Sequence, residues 1–291
     1  MLYNSTQNAA EKVEAAQAIS QGISKDGGLF VPQEFPKYDE ATFKALLKED
    51  YRGRAKKVFS DFLTDFTDDE IADCVEKAYT EEKFGGSNPA PIAYTKLNGR
   101  PLNILELWHG PTCAFKDMAL QIMPRLLCRA LEKTGEKRDA MILVATSGDT
   151  GKAALEGYRD ISKIRIKVFY PVDGVSRVQK LQMATQSGSN VDVCAIHGNF
   201  DDAQTGVKKM FGDKELAAEL EAQGYQFSSA NSINIGRLVP QIVYYVYAYV
   251  KLLAEEKIAE GEEIEALGHD FVDGVCTVCG AEDPDYLPAN P

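Results

Sequence analysis

Lys116 stands near the end of the segment Glu106-Leu107-Trp108-His109-Gly110-Pro111-Thr112-Cys113-Ala114-Phe115-Lys116-Asp117, which follows an expected strand and opens an expected helix. A lysine at such a junction can form a Schiff base with an aldehyde cofactor, and the cofactor then acts as an electron sink for carbanions. A lone lysine is more often a solvated surface group, so the chemistry depends on what surrounds it. The second segment is Val144-Ala145-Thr146-Ser147-Gly148-Asp149-Thr150-Gly151-Lys152-Ala153-Ala154. It reads as a strand, a glycine-rich loop and a helix N-terminus. That turn offers backbone N–H groups and a positive dipole end to an anion, and Ser147 and Thr150 add hydroxyl donors. An ordinary βα loop with a capping Asp or Thr reads the same way. The spacing of a Walker motif is absent.

The elements that must position these segments follow from periodicity. Residues 1–85 read as mainly helical, with helical stretches at 9–21, 41–47 and 68–79 and Asp68 as an N-cap. Asp26-Gly27-Gly28 marks a turn, and Gly85-Gly86-Ser87-Asn88-Pro89 marks a boundary. β-type runs then appear at 104–107, 141–144, 164–169 and 191–195, with helical stretches at 117–132, 151–159 and 177–185 between them. Strands alternating with helices predict a parallel α/β sheet, whose ligands sit at strand C-terminal ends. From Asp201 the pattern is helical again. It includes a long helix over about 235–253 with Leu238, Ile242, Tyr245 and Tyr249 on one face.

Composition narrows the function classes. The 291 residues are 44% hydrophobic and 26% charged, with a net charge of −12. Such acidity argues against a nucleic-acid partner, which needs clustered Lys and Arg. No apolar run is long enough to suggest a membrane span, and the N-terminus lacks the pattern of a secretory signal. Six cysteines in a chain of this length do not form a disulfide framework; Cys74, Cys113, Cys128 and Cys194 read as small buried hydrophobes in a reducing cytoplasm.

Together the two segments resemble the threonine synthase family, a pyridoxal-phosphate (PLP) family of fold type II with a tryptophan synthase beta-like architecture. His109 to Asp117 match its H-G-P-T-x-x-F-K-D motif, and Ala145 to Gly151 match its A-T-S-G-D-T-G loop. Further matches are Ser5-Thr6, the run Asp26 to Pro32, Asn231-Ser232-Ile233-Asn234, Arg237, and Pro240 to Tyr245. The resemblance implies an α/β fold: a mainly helical N-terminal domain over 1–85, then an incomplete parallel PLP-binding domain over 86–265. It implies that Lys116 holds the cofactor and shuttles protons, with Asp149 beside it. Ser147, Gly148 and Thr150 would meet the substrate carboxylate. Ser232, Asn234 and Arg237 suit the substrate phosphate, although capping of the following helix explains them equally well. His109 and Phe115 would shape the site, and Cys113 reads as filler. The implied reaction is the conversion of O-phosphohomoserine and water to threonine and phosphate, a lyase reaction of threonine biosynthesis in the cytoplasm.

The resemblance fades after Glu265. The family continues with a second glycine-rich loop for the cofactor phosphate and a group for its pyridine nitrogen, so a C-terminal truncation is expected. Its sheet would then have an unpaired edge that invites a partner chain. Residues 266–291 read as an unrelated tail. Within it Cys276 and Cys279 have zinc-knuckle spacing, with His269 as a third ligand, or are simply free thiols. The alternatives to an enzyme are a catalytically incompetent fragment that acts as a binding protein and a metal-binding module on a scaffold.

Overall fold

The computed structural model describes residues 1–255 and 257, with the backbone of two short strands at 271–272 and 275–276. Met1–Val250 form one compact unit and Lys251–Pro291 a second.

The first unit opens with a small antiparallel sheet. Strand β1 (Tyr3–Ser5) lies between β2 (Lys12–Val13) and β3 (Phe30–Pro32). Helices α1 (Ala15–Gln21), α2 (Glu40–Leu46), α3 (Tyr51–Phe62), α4 (Asp68–Ala78) and α5 (Glu81–Phe84) make up the rest of 1–85. The N-cap of α4 is Thr67, not Asp68. Glu70 N–H donates to Thr67 Oγ1 (3.2 Å) and Thr67 N–H donates back to Glu70 Oε2 (2.8 Å). This capping box satisfies two orphan donors, which a single Asp one residue later cannot do. Asp68 falls in the first turn instead, where its charge favours the helix dipole.

Strands β4 (Ile92–Leu97) and β5 (Arg100–Leu105) form an antiparallel hairpin of their own. The run expected at 104–107 therefore lies at the end of a hairpin, outside the parallel sheet. After it come α6 (Asp117–Leu120) and α7 (Met123–Lys133), two helices where one was expected. Then β6 (Asp139–Ala145), α8 (Asp149–Tyr158), β7 (Ile164–Pro171), α9 (Arg177–Ala184) and β8 (Val191–Ile196) alternate as the pattern predicts. Helices α10 (Phe200–Gly212) and α11 (Lys214–Ala222) lead into β9 (Tyr225–Ser228) and α12 (Ile235–Ala254). Sequence reading missed β9, which pairs parallel with β6 and gives the sheet order β8-β7-β6-β9.

The parallel sheet is covered on both faces. Along β6 the residues alternate: Ile142 and Val144 join the main core with Ala153, Ala154, Leu155 and Tyr158 of α8, while Leu143 and Ala145 pack with Ala203 and Val207 of α10. This period of two, buried on both sides, is why β6 reads as a continuous apolar run. Arg54 of α3 ties the helical segment to α12. It is 4% exposed, donates to Leu46 O (3.0 Å) and Tyr247 O (3.1 Å), and lies over the Tyr247 ring. A buried charge needs such partners.

On α12 the expected apolar stripe is the outer one: Tyr245 is 68% exposed, and Leu238 and Tyr249 are exposed too. The buried face is Val239, Val243, Tyr244, Tyr247 and Val250. Cys74 is buried as expected, with its thiol pushed up to about 12 by that burial, whereas Cys113 is exposed. In the second unit β10 (Phe271–Val272) pairs antiparallel with β11 (Val275–Cys276). The side chains of His269, Cys276 and Cys279 lie outside the described residues, and so does the zinc reading. Among the described residues no helix is long and apolar enough to cross a membrane.

Candidate functional site

The loop from Glu106 to Phe115 is held by the residue that follows the lysine. Asp117 is fully buried; its Oδ2 accepts from Thr112 N–H (2.9 Å) and its Oδ1 from the Thr112 hydroxyl (2.7 Å). Burial raises the Asp117 pKa above the ordinary carboxylate value, and the Thr112 bonds oppose the rise. Gly110 passes so close that a Cβ there would lie 2.4 Å from Asp117 Cβ, so the loop needs glycine at this point. Lys116 then stands as the N-cap residue of α6. Earlier in the same loop Glu106 Oε2 pairs with His109 Nε2 at 2.6 Å, and the Trp108 and His109 rings stack.

Helix α6 is pressed against α8. A Cβ on Gly157 would lie 1.9 Å from Leu120 O, so only glycine allows this approach. Across the junction Lys116 Nζ lies 2.8 Å from Asp149 Oδ2, and 4.5 Å from the Phe115 ring centroid. Asp149 opens α8.

The turn before α8 is built around Thr146. Its hydroxyl oxygen accepts from Gly148 N–H (3.0 Å) and Gly151 N–H (2.9 Å). Two of the N–H groups expected to face an anion are thus spent inside the loop. Gly148 sits at φ 151°, where a side chain is strained, and a Cβ there would meet Gln179 of α9. The hydroxyl-bearing Ser147 and Thr150 line an adjoining cavity of about 340 Å³.

That cavity gathers most of the expected site residues. Lys116, Ser147, Thr150, Ser232 and Arg237 all line it; Asp149 lines a second cavity, of about 540 Å³, with Trp108, Phe115 and Gln179. Arg237 is 5% exposed and its Nη1 has no hydrogen-bond partner among the described residues. Burial lowers the pKa of its guanidinium below the usual value. A buried cation with an open donor is a place for an anion. Asn234 is spent elsewhere. It is fully buried, its Nδ2 donates to Ile19 O (3.0 Å), and its Oδ1 accepts from Gly236 N–H (2.9 Å). Of its two readings, these bonds serve the capping one.

Sequence reading named Asn231 only as part of a matched run, without a role, and did not single out Gln204 or Lys208; all three line the same cavity. Lys208 and Gln204 lie on α10, whose amphipathic pattern carried no chemical signal.

Comparison with known proteins shows what the chain is similar to. Residues 2–79 match the family described as threonine synthase N terminus. The chain is 38% identical over 258 residues to the threonine synthase of Pseudomonas aeruginosa, covering 88% of this chain and 52% of that protein. It is 37% identical over 271 residues to threonine synthase-like 1 of Homo sapiens, covering 89% of this chain and 36% of that protein. The PLP-bound threonine synthase structure from Brucella melitensis superposes with a TM-score of 0.78 at 37% identity, over 88% of this chain and 53% of that one. The yeast threonine synthase structure gives a TM-score of 0.77 at 33% identity, over 86% of this chain and 50% of that one. The chain therefore spans about half the length of these threonine synthases, and about a third of the longer human relative. Residues 2–79 thus match the threonine synthase N-terminal family, and nearly nine-tenths of the chain is similar to about half the length of known threonine synthases.

Proposed function

We propose that this chain carries the lysine-bearing half of a threonine synthase site, which converts O-phosphohomoserine and water to threonine and phosphate. The observation that carries the reading is the cavity lined by both Lys116 and the buried Arg237, whose Nη1 has no hydrogen-bond partner among the described residues. These residues fit PLP. Lys116 has a primary amine at a cavity wall for the aldehyde, Asp149 stands within hydrogen-bond reach of that amine, and the cavity lining is cationic.

When bound, PLP supplies an electron sink for negative charge on the substrate carbons. The chain's own groups then do the rest. Arg237 holds an anionic group of the substrate by charge-assisted donation, and Ser232 adds a hydroxyl. Ser147 and Thr150 donate to the substrate carboxylate, above the Gly148 turn. Lys116 Nζ takes and returns a proton near the reacting carbons, and Asp149 orients it. Asn234 acts indirectly, by fixing the start of α12 and hence Arg237. The substrate is a small molecule and the setting cytoplasmic. A partner chain would pair with an open edge of the parallel sheet, whose outer strands are β8 and β9.

The test is purification with PLP, measurement of Schiff-base absorbance, and an assay of phosphate release from O-phosphohomoserine, with Lys116→Ala as control. Absorbance and release that both depend on Lys116 support the enzyme. A folded chain showing neither would instead leave a binding protein without turnover.

A further inference from the structure

The charge of the Arg237 cavity runs against that of the whole molecule. The chain carries a net charge of −12, yet among the described residues three cations and no carboxylate line this cavity: Lys116, Lys208 and Arg237. Lys116 is already paired with Asp149. Arg237 forms the buried cation, and Lys208 has no hydrogen bond or ion pair among the described residues.

Helix α10 determines where Lys208 stands. Asn199 and Asp202 form a capping box that fixes its start. Ala203 and Val207 are buried against Leu143 and Ala145 of β6. Phe200, Gln204, Lys208 and Phe211, at helical spacing, therefore present one face to the cavity. A lysine on that face is held at the wall by the packing of the helix beneath it.

A carboxylate carries one negative charge and is matched by Arg237 alone. A phosphoryl group carries close to two at neutral pH and offers three acceptor oxygens. A second, uncompensated cation beside the first gains little from a monoanion and much more from a dianion. We propose that Lys208, with Gln204 as a neutral donor, is the specificity-determining element that makes this cavity prefer a phosphoryl dianion over a carboxylate. The inference rests on the proposed function for its choice of substrate, but the preference itself requires neither cofactor nor turnover.

The experiment is titration of the full chain with inorganic phosphate and, separately, with acetate, followed by calorimetry at pH 8 and low salt. Lys208→Gln is expected to weaken phosphate binding about tenfold. Its effect on acetate is expected to stay within about twofold. Lys208→Arg should restore phosphate binding, and the circular dichroism of both variants should match the parent, since residue 208 is exposed. Unchanged phosphate affinity in Lys208→Gln, an equal loss for acetate, or no phosphate binding by the folded parent would each overturn the proposal. Lys208-dependent phosphate binding in a chain that never releases phosphate from O-phosphohomoserine upholds the specificity site and overturns the reaction instead.

Discussion

Lys116 Nζ and Asp149 Oδ2 meet at 2.8 Å across the junction of α6 and α8, between two cavities that each claim one of the pair. Their side chains are 19% and 42% exposed, so water screens the contact. The pair therefore contributes little to stability, and under the proposed function its part is in the chemistry. Asp149→Ala is expected to change unfolding free energy by less than about 1 kcal/mol. It should also slow Schiff-base formation and phosphate release by about tenfold or more. Urea titration and the absorbance time course check the two halves separately; a large stability loss would make the pair structural.

Asp117 is the reverse case, buried and bonded twice to Thr112. Asp117→Ala leaves the Thr112 N–H and hydroxyl without partners, and should cost about 2–3 kcal/mol. Asp117→Asn keeps one acceptor and should cost less. Because burial raises the folded-state pKa of Asp117 above its ordinary 3.8, its contribution declines as pH rises through that raised value. The Asn variant's deficit should therefore be largest near pH 4 and shrink toward neutrality, as read from urea midpoints across that range.

Glu136 supplies an acid-side prediction. Arg138 grips its carboxylate with Nε (2.9 Å) and Nη2 (2.7 Å), and holds its pKa well down, at about 2 rather than 4.5. A depressed folded-state pKa gives stability that is complete above the ordinary value and is lost as pH falls toward 2. The pair is partly exposed, so the share is about 1 kcal/mol. Arg138 also reaches Glu221 of α11 and Gln226 of β9, which anchors the sheet edge. Glu136→Gln should flatten the loss of stability between pH 4.5 and 2, and an unchanged acid profile would show the grip to be energetically idle.

Much of this was legible in the residues. The alternation of apolar runs gave β6, β7 and β8, because a strand buried on both faces leaves a continuous apolar signature. The family resemblance implied one site for Lys116 and the loop at 147–150, and Lys116 Nζ does lie 2.8 Å from Asp149 Oδ2. What escaped reading was decided by tertiary packing. Strand β9 is four residues long, with only Ser228 fully buried, too short for a period to show. Helix α12 is apolar nearly all round, so its sequence could not say that Tyr247 faces the core and Tyr245 the solvent. Lys208 reads in sequence like any helix-surface lysine, because only the packing of α10 brings it to the cavity; Asn234 reads equally as a phosphate ligand or a cap, and its bonds to Ile19 and Gly236 are of the capping kind.

Two helical glycines should respond oppositely to alanine. Gly157 of α8 faces Leu120 O so closely that an added Cβ must push α6 and α8 apart. Overpacking of this kind costs about 1–3 kcal/mol, and here it also displaces the helix that begins at Lys116. Gly206 of α10 has nothing within 4 Å of the position a Cβ would take. Alanine there removes backbone freedom from the unfolded chain and should stabilise by about 0.5–1 kcal/mol. Gly206→Ala should therefore raise the thermal midpoint and leave phosphate binding intact. Gly157→Ala should lower the midpoint and slow Schiff-base formation together, because both depend on the same contact. Restoration of the midpoint by Gly206→Ala in the double variant, without recovery of the Schiff-base rate, would locate the second defect at Lys116 rather than in global stability.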